Sequence, residues 1–342
     1  MQTKLLITSI VIAIIIVGII AYTYTKQSQK YETLIIFHAG SLTGAVEDYA
    51  SILMEEYKIK VLNEPSGSVD AIRKVVDLHK PADVIMSADY RLIPSLMFDG
   101  GYANWCLIFA SNEMVIAYTN KSLYAEEINN ENWLEIILRE NVRIGFSDPN
   151  RDPCGYRSLM VLALASKKYE NYKPLKVLEE HAEIRFNINE TGIFIDATGV
   201  NPDSAKIFVR EKSVDLISLL EAGVIDYAFE YRNVAVSKHL MFVELPEEVN
   251  LANPSLDGWY SKVSVKIYGS GGKIRILSAA SIAYGLTISE NAPHPDLARK
   301  FVEFLLSDKG VQVLVDNGFK PLKPTIIGEA PSWLENIVAE VS

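Results

Sequence analysis

From about residue 32 onward, short apolar runs alternate with apolar residues repeating at three- and four-residue steps. Leu34-Ile35-Ile36-Phe37 ends in His38-Ala39-Gly40-Ser41, which predicts a strand, a tight turn and the start of a helix. Leu42, Val46, Tyr49, Leu53 and Tyr57 then mark one face of an amphipathic helix. Residues 59–62 predict a second strand, followed by Pro65-Ser66-Gly67-Ser68 and a helix through Ile72, Val75 and Leu78. Ala82-Asp83-Val84-Ile85-Met86 predicts a third, buried strand. This β-α-β-α-β run implies a parallel sheet with helices on both faces.

The alternation continues with a strand at 142–146, a helix at 157–168, and strands at 207–209 and 227–229 flanking a helix through Leu216, Leu219 and Leu220. A strand at 281–288 and helices at 296–306 and 311–315 follow, and Pro321 and Pro324 are read as closing the packed region. Some 310 residues exceed what one core usually holds, so two α/β lobes are expected. No Gly/Ser linker separates them, so the chain crosses between lobes on strands, near 112–119 and 231–243. The expected division is 31–114 plus 235–330 for lobe I, 115–234 for lobe II and a tail at 331–342.

Ahead of this body, residues 5–25 carry no charge and are dense in Ile, Val and Leu. A helix of that length spans roughly 30 Å, the thickness of a bilayer core. Segment 1–30 is therefore a membrane anchor or a signal segment, and either reading places the body outside the cytoplasm.

With 33 basic and 43 acidic residues the net charge is −10, a poor match to nucleic acid or anionic lipid. Two cysteines, Cys106 and Cys154, are too few for a disulfide scaffold or a Cys-rich zinc site. The five histidines form no H-E-x-x-H pattern, so a zinc hydrolase has no local support.

Three turns share one character. Gly40-Ser41, Pro65-Ser66-Gly67-Ser68 and the run Asp148-Pro149-Asn150-Arg151-Asp152-Pro153-Cys154-Gly155 each join a strand to a helix. Helix N-termini offer unpaired N–H groups and partial positive charge, and in open α/β sheets such turns line the ligand crevice. Ser41 and Ser68 are read either as helix caps or as ligand donors. Asp152 is a turn-forming carboxylate or a ligand, and Tyr231 a core residue or a hydroxyl donor. Glu230 beside Arg232 is read as a surface ion pair. Cys154 as a nucleophile needs His38 or His181 to reach it through space.

Several stretches carry a family resemblance. They are His38-Ala39-Gly40-Ser41-Leu42, Glu64-Pro65-Ser66-Gly67-Ser68-Val69, Ala82-Asp83-Val84, the 112–119 stretch, the long run 145–158, Asp226-Tyr227-Ala228-Phe229-Glu230-Tyr231, and Asn291-Ala292-Pro293 followed by 301–307. Together the chain from about 32 to 325 resembles the archaeal tungstate/molybdate-binding proteins of the WtpA/ModA type.

The resemblance implies a type II periplasmic-binding-protein-like fold, two α/β lobes around a ligand cleft, with an oxyanion as ligand and no cofactor. It implies a permease and a cytoplasmic ATPase of an ABC importer as partners. Carried over by position, the ligand-binding residues are Gly40, Ser41 and Ser68 in the first lobe, and Asp152, Pro153, Cys154, Ser213 and Tyr231 in the second. Asp152 is implied to approach the tungsten or molybdenum itself. The family pattern puts a second such Glu eighteen residues before Tyr231, where this chain has Ser213; Glu211 is two residues away. The rival readings are a sulfate- or phosphate-like oxyanion receptor and a membrane-anchored hydrolase using Cys154 or a serine.

Overall fold

The computed structural model describes residues 15–17, 31–269 and 272–341. The expected anchor or signal segment lies outside the described residues apart from 15–17, which are helical. Among the described residues no helix is long and apolar enough to cross a membrane.

The first lobe is built on a six-stranded sheet. Its spatial order is Lys320–Gly328, Trp105–Ser111, Ala283–Ile288, Val84–Ser87, Glu32–Ala39 and Ile59–Ser66. Glu32–Ala39 pairs in parallel with both Ile59–Ser66 and Val84–Ser87, as the β-α-β pattern demands. Helices Thr43–Ile52 and Ser68–Val76 make the crossovers, and Val84–Ser87 is buried along its whole length. Ala283–Ile288 then adds antiparallel to Val84–Ser87, so the late chain returns to the first lobe.

The second lobe holds a five-stranded sheet in the order Met241–Glu244, Met114–Tyr118, Tyr227–Tyr231, Ile144–Ser147 and Ile207–Arg210. Ile144–Ser147 is parallel to both neighbours, which places its carboxyl end beside that of Tyr227–Tyr231. Over this sheet lies helix Pro153–Lys168, buried from Pro153 through Ser166. A helix apolar all round must be covered on every side. The cover opposite the sheet comes from a four-stranded sheet, Ile274–Ser278, Val263–Tyr268, Gly192–Asp196 and Arg185–Asn189.

Three features depart from the sequence expectations. Met241–Glu244 pairs with Met114–Tyr118, and Val263–Tyr268 with Gly192–Asp196, so sheets of the second lobe extend past residue 234. Pro321 and Pro324 do not end the packed region. They sit in Lys320–Gly328 at a sheet edge, with the register shifting between Pro321 and Thr325, where a missing N–H is tolerated. Residues 332–341, expected as a tail, form a helix: Leu334 is fully buried and Trp333 packs edge-on against Trp105.

Candidate functional site

The two lobes meet across a crevice lined by strand-to-helix turns, and they are in contact. Val69 N–H donates to Arg151 O across it at 3.1 Å. The Arg151 guanidinium reaches back to Asp70 at 2.5 Å. Gly67 packs so closely on the Arg151 carbonyl that a Cβ there would collide with backbone. Small size at this position is what lets the turns close on each other.

In the first lobe, Gly40-Ser41-Leu42 forms a single 3₁₀ turn and Ser68 opens helix Ser68–Val76 after Gly67. Neither serine caps its helix with its side chain. The Ser68 hydroxyl instead accepts from Ala88 N–H at 2.9 Å, which leaves its own proton to donate. Ser41 Oγ lies 3.0 Å from the Tyr284 hydroxyl. Tyr284 also accepts from Asn112 Nδ2 at 3.3 Å, and either hydroxyl of the Ser41–Tyr284 pair can donate to the other. The Asn112 amide is held in this orientation because its oxygen takes Glu113 N–H at 2.9 Å.

In the second lobe the turn after Ile144–Ser147 is rigid. Asp148 accepts from Asn150 N–H at 2.8 Å, and the Asn150 side chain bridges to Ala197 O and Tyr268 N–H. Gly155 sits against the Ser147 carbonyl, where no Cβ fits. Asp152 caps helix Pro153–Lys168 by accepting from Cys154 N–H at 3.2 Å, with Pro153 as the first helical residue. Its other oxygen accepts from Ser213 N–H at 2.8 Å. Burial pushes the Asp152 carboxyl up to about 6, against the pull of the Ser213 and Cys154 N–H groups.

Tyr231 ends its strand fully buried, and its hydroxyl accepts from Arg157 Nη1 at 2.7 Å. Its proton too is free to donate. Arg157 is 1% exposed and also donates to Ala88 O at 2.6 Å, tying the second lobe to the strand end that holds Ser68. Across the same junction Tyr156 donates to Asp89 at 2.7 Å. Burial works against the charged Asp89, yet Arg91 and Arg157 hold it well below the usual carboxylate range.

Ser41, Ser68, Asp152, Cys154, Ser213 and Tyr231 are all buried; the Tyr284 ring beside Ser41 packs edge-on against Tyr231, and Glu230 links Tyr231 N–H to Cys154. Glu211 is not among them: it is 69% exposed and pairs with Arg151 at the rim. Glu230 corrects the sequence reading. It is 1% exposed, and Arg232 pairs instead with Glu113 at 3.3 Å. All five residues of Tyr227–Tyr231 are buried, so period-two alternation gave no warning. Glu230 Oε2 accepts from Tyr231 N–H at 2.8 Å and faces Cys154 Sγ at 3.8 Å. Burial raises its carboxyl to about 8, opposed by the Tyr231 N–H.

Cys154 is poorly placed for nucleophilic chemistry. Burial drives its thiol well above the ordinary range, its sulfur faces Phe229 O and Glu230, His38 bonds Ala39 O and His181 bonds Asp203. Sequence reasoning missed Arg157, Tyr284 and Asp89 as site residues. A charged Arg157 ahead of the apolar run Leu159–Ala165 was the one local signal available.

What the arrangement offers chemically is a set of hydroxyl protons from both lobes, those of Ser68 and Tyr231 on oxygens that already accept a hydrogen bond. Two helix N-termini add their N–H groups. Unpartnered buried atoms among the described residues include His38 Nε2, Ser66 Oγ, Arg157 Nε and Glu230 Oε1.

Comparison with known proteins agrees with this geometry. A protein described as an uncharacterized solute-binding protein of Staphylothermus marinus is 42% identical over 337 residues, covering 97% of this chain and 96% of its own length. The molybdate/tungstate-binding protein WtpA of Pyrococcus abyssi is 41% identical over 348 residues, 99% of each chain. The solved periplasmic molybdate-binding protein of Azotobacter vinelandii shares the fold with a TM-score of 0.56 at 14% identity, covering 84% of this chain and 98% of that one. A family model described as bacterial extracellular solute-binding protein matches residues 34–320. The chain belongs to that family of extracellular solute-binding proteins.

Proposed function

We propose that the protein captures tungstate or molybdate between its two lobes and hands it, chemically unchanged, to the permease of an ABC importer driven by a cytoplasmic ATPase. The observation that carries this reading is the donor array: Ser68 and Tyr231 each accept a hydrogen bond from a neighbour and keep a proton to give, and the Ser41 hydroxyl lies beside them, paired with that of Tyr284. MoO₄²⁻ and WO₄²⁻ are fully deprotonated at neutral pH, so they take donors and offer none. Neutral donors bind such an ion without a buried countercharge, and charge-assisted hydrogen bonds are about twice as strong as neutral ones. The ligand-binding set is Gly40, Ser41, Ser68, Asp152, Pro153, Cys154, Ser213 and Tyr231.

An ion touching both lobes stabilises the closed state through contacts the open state lacks, and the permease would read that closure. A groove beside the Pro65–Gly67 turn is lined by Arg73, Lys74, Arg151 and Lys212 together with Asp70, Asp77 and Glu211. Segment 1–30 keeps the body at the outer face of the membrane as an anchor, or directs its export as a signal.

Isothermal titration with tungstate, molybdate, sulfate and phosphate tests the reading. Binding of the first two well below micromolar, with sulfate about a hundredfold weaker, is expected, a gap of about 2.7 kcal/mol. Equal sulfate affinity would contradict it. Tight phosphate binding would favour the proton-accepting alternative, with Asp152 taking the ligand's proton.

A further inference from the structure

Two residues outside the ligand-binding set hold members of it, and each bridges the lobes in doing so. Asn233, 2% exposed, lies on helix Arg232–Ser237 of the second lobe. Its Nδ2 donates to Ser41 O of the first lobe at 2.8 Å. Arg157 uses one nitrogen, Nη1, for two bonds. It donates to Ala88 O of the first lobe at 2.6 Å and to the Tyr231 hydroxyl of the second at 2.7 Å. Its Nη2 lies 3.6 Å from Asp89, a first-lobe carboxylate that also pairs with Tyr156 and Arg91.

The orientation of the Asn233 amide follows from its neighbours. Asn112 sits where the chain leaves Trp105–Ser111 of the first sheet for Met114–Tyr118 of the second. Its oxygen takes Glu113 N–H, so its Nδ2 is the group that donates to Asn233 Oδ1 at 2.6 Å. That leaves the Nδ2 of Asn233 turned to Ser41. Ser41 is thus held twice, at its carbonyl by the second lobe and at its hydroxyl by Tyr284. Ala88 serves both sides as well: its N–H donates to the Ser68 hydroxyl and its carbonyl accepts from Arg157. Ser68, Ala88, Arg157 and Tyr231 therefore form one hydrogen-bonded chain across the junction.

Joining two lobes does not by itself call for these groups. Buried amides and a buried guanidinium carry a desolvation cost that apolar contacts avoid. Polar groups add direction, and here the direction is given to residues assigned to the ligand. Parting the lobes would break the Asn233–Ser41 and Arg157–Ala88 bonds, leaving Ser41 and Arg157 each with one anchor fewer.

We propose that Asn233 and Arg157 are positioning residues for the captured ion: each passes lobe closure on to one ligand donor, Asn233 to Ser41 and Arg157 to Tyr231. This rests on the oxyanion reading given above. Closing and donor alignment become one event, so the ion meets aligned donors only between closed lobes. Loss of either residue then shortens the life of the closed complex and leaves the first encounter with the ion unchanged.

The test is a pair of double-variant cycles read by calorimetric titration with sodium tungstate, with thermal melts verifying that each variant folds. Asn233→Ala and Arg157→Met are each expected to weaken binding about tenfold. Asn233→Ala should cost less than about threefold once Ser41→Ala is present, and Arg157→Met likewise once Tyr231→Phe is present. Stopped-flow measurement should place the loss in dissociation, with association within about twofold of the parent. Asn233→Asp keeps the bond from Asn112 but turns an acceptor toward Ser41 O, so it should lose at least as much as Asn233→Ala. If Arg157→Met does not melt cooperatively, Arg157→Gln takes its place in the cycle. In either cycle, losses that multiply in full, or a single variant with unchanged affinity, would overturn the inference for that residue and leave tungstate capture standing. Failure of the unmodified protein to bind tungstate at all would instead overturn the functional reading.

Discussion

Arg157 donates from Nη1 to the Tyr231 hydroxyl at 2.7 Å, and that contact fixes where the tyrosine proton goes. With its lone pair engaged by a buried guanidinium, the hydroxyl is polarised and gives its proton away from Arg157. Removing the hydroxyl in Tyr231→Phe is expected to weaken tungstate binding by about 1–3 kcal/mol, because a buried anion loses one donor. Titration calorimetry measures it; affinity within a factor of about two of the parent would place the ion away from Tyr231.

The Ser41 hydroxyl depends on Tyr284, which depends in turn on Asn112. Tyr284→Phe removes the hydroxyl that holds Ser41 in place, so binding should weaken by about 1 kcal/mol. Ser41→Ala alone should cost more, about 1–3 kcal/mol. The double variant should cost little beyond Ser41→Ala, since both act through one hydroxyl. Additive losses in this cycle would show that the relay does not operate.

Closure needs Gly67. Its turn lies against the Arg151 carbonyl, and Val69 N–H bonds the same oxygen. Gly67→Ala puts a methyl group where the lobes meet, in a backbone conformation alanine adopts freely. Binding should fall by at least about tenfold while the melting temperature without ligand stays near that of the parent. Small-angle scattering should show the parent contracting with tungstate and the variant not. Equal contraction in both would refute the steric argument.

The two buried carboxyls give the ligand-free protein a specific pH dependence. Glu230 is raised from its ordinary 4.5 to about 8 and Asp152 from 3.8 to about 6, both chiefly by burial. A raised folded-state pKa means the folded protein holds protons that the unfolded chain releases. Stability is therefore greatest below about pH 4 for these groups and declines as pH rises toward about 8. In Glu230→Gln the larger part of that decline should vanish, a difference on the order of 1–3 kcal/mol between about pH 5 and about pH 8. Parallel melting curves for parent and variant would contradict the burial argument.

Much of this site can be read from the chain because its turns are local. Gly40-Ser41, Ser66-Gly67-Ser68 and the Asp148–Cys154 run are strand-to-helix turns, and their chemistry follows from a few adjacent residues. The parallel β-α-β opening is equally local. Asn112, Tyr284, Asp89 and Arg157 are different, because their partners lie tens to hundreds of residues away and only the two-lobe closure brings them together. Glu230 was misread for another reason. In a strand covered on both faces an acid beside an Arg looks like a surface pair, and only burial shows the two side chains parting company. The four-stranded sheet went unseen because its outer strands are mostly exposed and carry little apolar pattern, as in Arg185–Asn189.

All of these expectations rest on a doubly charged anion held by uncharged hydroxyls from opposing lobes. A crystal structure of the protein grown with tungstate, with anomalous data collected at the tungsten L₃ edge, tests that directly. The account predicts one strong peak inside the crevice, with oxyanion oxygens within hydrogen-bond distance of Ser41, Ser68 and Tyr231. A crevice without a peak, or a peak bound only by residues of a single lobe, would contradict it.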